Sequence, residues 1–99
     1  MTDLERLQLV KALAIDAQIN TCLDMGKLAN DLESLRSTIE VVSERFKASF
    51  SAFWAALEVV AVQHQEDGSE PTQEEKNDLN LLKNDFVDAV DYEIKRRIS

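Results

Sequence analysis

The sequence predicts an all-α fold: a three-helix bundle or helical hairpin built on a long central coiled-coil-like helix. Three observations carry this reading. Thr-x-x-Glu capping boxes open two segments, apolar residues recur at spacings of three and four, and turn residues are scarce. Two glycines and one proline in 99 residues cannot serve the many turns of a β-sandwich or barrel. A chain of this length is expected to form one domain with a modest core, which leaves little volume for an enclosed substrate cavity. The expected elements are helices over about 3–20, 28–63 and 73–98, with a loop over 64–72.

The first helix opens with Thr2 as N-cap and Glu5 completing the box. Leu4, Leu7, Val10, Leu13, Ala14 and Ala17 form a helical stripe, while Leu9, Ile15 and Ile19 lie outside it. A helix that is apolar on more than one side is expected to be packed on more than one side. Its end is ambiguous, because Gly26 offers a C-terminal stop and Thr21 offers an N-cap for the next helix. The break falls between Asn20 and Leu28.

The middle segment carries a heptad pattern through Leu28, Leu32, Leu35, Ile39, Val42, Phe46, Ser49, Phe53, Ala56 and Val60. Spacings alternate between four and three, as in a coiled-coil seam. Helical throughout, 28–62 would be roughly 52 Å long, more than the first helix can cover. The uncovered seam, Leu28, Leu32, Leu35, Ile39 and Val42, is therefore expected to pair with a second copy in a homodimer. Within this segment, "FKASFSAFWAALEVVAV" has only Lys47 and Glu58 as charges. From Ala48 to Val62 it covers only about 22 Å, against the roughly 30 Å of hydrocarbon in a bilayer, and Glu58 lies inside it. No membrane span is expected. Phe46, Phe50, Phe53 and Leu57 share the main stripe, with Ala48, Ala52, Ala55 and Val59 opposite. This stretch is expected to be packed on most sides.

The last helix is the clearest. Thr72 caps it, Glu75 completes the box, and Leu79, Leu82, Phe86, Val90 and Ile94 form the buried stripe. Lys95, Arg96 and Arg97 sit in its last turn, where cations favour the negative end of the helix dipole. The loop before it, "QHQEDGSEPTQE", has the length of a calcium loop. Gln63 and Gln65 stand where two carboxylate ligands would be needed, and Pro71 also disrupts the pattern, so a plain acidic turn is expected.

Other chemistry is sparse. Paired carboxylates such as Glu74 with Asp78 occur at helical spacing, but His64 is the sole histidine, which excludes a di-iron bundle. His64 reads as a solvated helix-end residue. Gly26 and Gly68 are too far apart for a phosphate loop, and no spacing brings Cys22 or a serine to His64. No catalytic residue, cofactor or metal site is expected, and the protein is not expected to be an enzyme. The net charge of −8 repels nucleic acid and anionic lipid and suits a basic protein partner. A lone cysteine and an acidic start without a basic-apolar leader point to the cytoplasm.

One constellation remains. From Glu66 to Glu93 only Lys76 and Lys83 interrupt a run of acids, and Leu81, Asp85, Asp88 and Tyr92 project together away from the apolar stripe. An aromatic and an aliphatic anchor flanked by charges is a pattern suited to binding another protein. The function expected is that of a small acidic, non-catalytic inhibitor, adaptor or chaperone-like protein acting through this face. The alternative is a scaffold subunit assembling through the seam of the second helix.

Overall fold

The computed structural model describes residues 2–39 and 42–98. Local capping places the helix starts. Thr2 and Glu5 form the reciprocal box that opens α1 (Asp3–Asp16), and Thr21 accepts from Asp24 N at 3.1 Å to open α2 (Cys22–Arg36). Of the two signals near that break, Thr21 prevails. Gly26 lies inside α2 rather than ending a helix, and α1 stops at Asp16 rather than near Asn20. Ser43 accepts from Phe46 N at 3.2 Å and caps α3 (Glu44–Asp67), which ends on Gly68 in the left-handed region at φ 72°. Thr72 and Glu75 open α4 (Gln73–Ile98), each accepting from the other's backbone N–H. No strand occurs among the described residues, and the fold is all-α.

The long central helix expected from the heptad pattern is instead two helices. Around Arg36 the chain leaves the helical path because hydroxyl side chains compete for the last carbonyls. Ser37 Oγ donates to Ser34 O at 2.9 Å and Thr38 Oγ1 donates to Leu35 O at 2.6 Å. The Thr38 and Ile39 N–H groups close tight turns onto Leu35 O and Arg36 O. Two arginines hold this corner, with Arg6 Nη1 donating to Thr38 O at 2.8 Å and Arg36 Nη1 to Ile39 O at 3.2 Å. The apolar pattern runs across the break because Ile39 and Val42 are buried even though they are not in a helix.

Folding back at this corner covers the seam from within. α1 packs on α2 and α4, α2 on α3, and α3 on α4, so every helix touches two others around a shared core. Leu28, Leu32, Ile39 and Val42 are buried in that core and Leu35 packs against it. The seam reserved for a second copy is thus occupied by the chain's own helices. Phe86 of α4 sits among Phe46, Phe50 and Phe53 of α3, with ring centroids 5.6, 5.9 and 5.9 Å away. The aromatic-rich stretch is core on this side only. Its other side, Ala48, Ala52, Ala55 and Val59, is exposed, contrary to the expectation that it packs on most sides. No helix among the described residues is long and apolar enough to cross a membrane.

Candidate protein interaction face

Core packing fixes the rotation of α4. With Leu79, Phe86, Ala89 and Val90 buried, the flank turned toward α3 but away from the core carries Asp78, Leu81, Asp85, Asp88 and Tyr92. Leu81 is 67% exposed and Tyr92 46% exposed, both large for apolar surface, and the three acids are exposed with them. The four residues expected to form a face therefore do share one.

Two members of that face also touch α3. The guanidinium of Arg45 lies over the Tyr92 ring, 5.5 Å from its centroid, and Ser49 Oγ donates to Asp85 Oδ2 at 2.9 Å. Both contacts restrict side chains that would otherwise have to be ordered on binding. Below them α3 and α4 part into a groove of about 410 Å³. Its floor is Ala55, Ala56, Val59 and Val60 of α3 with Leu82 of α4, and Asp78 stands on the α4 rim. Val59 is 64% exposed. Lys76 lies on the other flank of α4, lining a hollow with α1, and Lys83 follows it by two helical turns. The α4 side of the groove is thus acidic.

The loop end holds a cluster that the sequence reading missed. His64 is only 7% exposed, not a solvated end residue. Its Nε2 lies 2.7 Å from Glu75 Oε1 and its Nδ1 2.5 Å from Ser69 Oγ, while Ser69 also donates to Asp67 Oδ1 from both its N–H and its hydroxyl. A serine, an imidazole and a carboxylate in line have the outline of a nucleophile, base and orienting group. The Ser69 hydroxyl also lies against the Asp67 carboxylate, so Ser69 bridges Asp67 and His64. The cluster works as a latch that closes the α3–α4 loop. Hydrogen bonds from Ser69 hold the Asp67 carboxyl below the usual carboxylate range, and those from the Thr72 backbone and from His64 do the same for Glu75. Burial and the carboxylates of Glu70, Asp67 and Glu75 push the nearby Cys22 thiol up, which disfavours its reactive thiolate.

The opposite end of α4 carries a second buried polar centre. Glu93 is 0% exposed, and its Oε1 accepts from Ser43 N at 2.9 Å at the start of α3. Its Oε2 accepts from Arg97 at 2.6 Å and Arg96 at 3.1 Å. Burial raises the affinity of Glu93 for a proton, but the bonds from Ser43 and Arg97 outweigh it and hold the carboxyl below its ordinary range. Arg96 and Arg97 thus neutralise a buried acid as well as the helix end. Only the dipole role was legible from their position in the last turn.

No group of His, Cys, Asp and Glu among the described residues is arranged to hold a metal ion. No family model, curated protein or solved structure matches the chain.

Proposed function

We propose that this is a non-catalytic binding protein, an inhibitor, adaptor or chaperone-like partner, which engages a basic protein through the α4 face of Leu81, Asp85, Asp88 and Tyr92. The observation that carries the proposal is the exposure of Leu81 and Tyr92 on a helix flank whose other members are acids. Apolar anchors supply affinity when buried against a partner, and the surrounding charges steer and orient it. A chain of net charge −8 adds a long-range field that attracts cationic surfaces and repels nucleic acid. The scaffold alternative, and a homodimer through the same seam, draw no such support, because Leu28, Leu32, Ile39 and Val42 are already buried within the chain.

The test is capture from cell extract by the immobilised chain, compared with Tyr92→Ala and with the Asp85→Asn, Asp88→Asn pair. A partner bound through this face should be lost at high salt. Tyr92→Ala should weaken its binding by roughly 2 kcal/mol, and the double change should mainly slow association. Capture that is indifferent to all three changes would remove the proposal.

A further inference from the structure

We propose that the groove between α3 and α4 receives one amphipathic basic helix of the partner, with its apolar residues on Ala52, Ala55, Ala56 and Val59 and its lysines or arginines against Asp78, Asp85 and Asp88. The inference rests on the binding function proposed above and specifies the partner's chemistry. The floor of the groove is apolar, and its small residues let another helix approach to the ordinary interaxial distance of roughly 8–10 Å. Val59 in its floor is 64% exposed and open to larger apolar side chains, and Leu81, 67% exposed, follows the rim residue Asp78 by one helical turn.

Charge selects among the occupants. A second copy of the chain would bring eight net negative charges to an acidic rim, and nucleic acid or an anionic bilayer would be repelled as well. An extended peptide is disfavoured for a different reason. The groove is made by two helices whose backbone groups are paired internally, so there is no strand edge to satisfy the peptide's N–H and C=O groups. A helix satisfies its own backbone and presents one apolar face with cationic flanks.

The probe is a synthetic helical peptide of roughly 18 residues, about 27 Å long, with alanine and leucine on one face and lysine on the flanks. Two controls are a scrambled peptide of equal composition and a version with glutamate for lysine. Fluorescence anisotropy against the whole chain should show the amphipathic cationic peptide binding at least about tenfold more tightly than either control. Val59→Asp should weaken it at least about tenfold, and so should Asp78→Lys with Asp85→Lys. Val59 is exposed, and unchanged circular dichroism would verify that its replacement leaves the fold intact. If the scrambled peptide binds equally and Val59→Asp has no effect, charge alone is recognised. The groove then falls while the acidic face stands. Failure of every peptide to bind also overturns the groove, and the capture experiment with Tyr92→Ala judges the face separately. A dimer in sedimentation that Val59→Asp dissociates would make the occupant a second copy, and that too refutes the proposal.

Discussion

Glu93 shows how one residue can join two helix ends. It lies in the last turns of α4, yet its carboxylate accepts from the first backbone N–H before α3 and from two arginines of its own helix. A buried acid survives only with such partners. Glu93→Ala leaves the Ser43 N–H and two partly exposed arginines without this carboxylate and is expected to cost about 1–3 kcal/mol in urea unfolding. The pH dependence follows from the lowered pKa. In the unfolded chain the group titrates near 4.5, the ordinary glutamate value, and in the fold it titrates lower, so the unfolded state binds more protons between the two. The stabilisation is fully present above pH 4.5 and is lost as pH falls through the folded value. Glu93→Gln should therefore flatten the acid limb of a stability–pH curve. His64 has a comparable place at the other end of α4. His64→Ala opens the contacts to Glu75 and Ser69 and should cost about 1–3 kcal/mol in the same measurement. Neither role is visible in a one-dimensional pattern, since Ser43 and Glu93 are 50 residues apart and His64 faces Glu75 only because the loop closes.

Among the elements, the break between α2 and α3 is the feature on which the architecture turns. A continuous helix would have left its seam uncovered, whereas the corner brings α2 back along α3. Ser43 is the local signal for it, a Ser followed by a helix whose third residue donates to its side chain. That signal was masked by the heptad running through it, because Ile39 and Val42 keep the apolar spacing while plugging the core from the corner. Ser43→Ala should cost about 1 kcal/mol by loss of the cap. It should also raise amide exchange in the first turn of α3 relative to its centre. Thr2, Glu5, Thr72 and Glu75 were legible for the opposite reason. A capping box closes within four residues and needs nothing from the rest of the chain.

At the scale of the whole molecule, the seam residues now belong to a single-chain core. Polar replacement at Leu32, which is fully buried in that core, is expected to unfold the chain rather than to release folded monomers. Sedimentation and circular dichroism on Leu32→Asp would check this, since a folded smaller species would restore the dimer seam. The melting temperature of the unaltered protein should likewise not rise with its concentration, as it would if the core were completed by a second copy.

By itself the sequence determined the all-α class, the starts of α1 and α4, the buried stripe of α4 and the residues of its acidic face. These follow from hydrogen bonds and side-chain periodicities that act over a few residues, so they can be read without knowing what packs where. The tertiary structure alone decided that the central segment bends, that the seam is filled from inside, that Glu93 and His64 are buried, and that the alanine side of α3 is left open. Those outcomes depend on which helix meets which. Spacing specifies that a face is apolar, but only the packed fold decides whether that face meets another part of the chain or remains open to a partner.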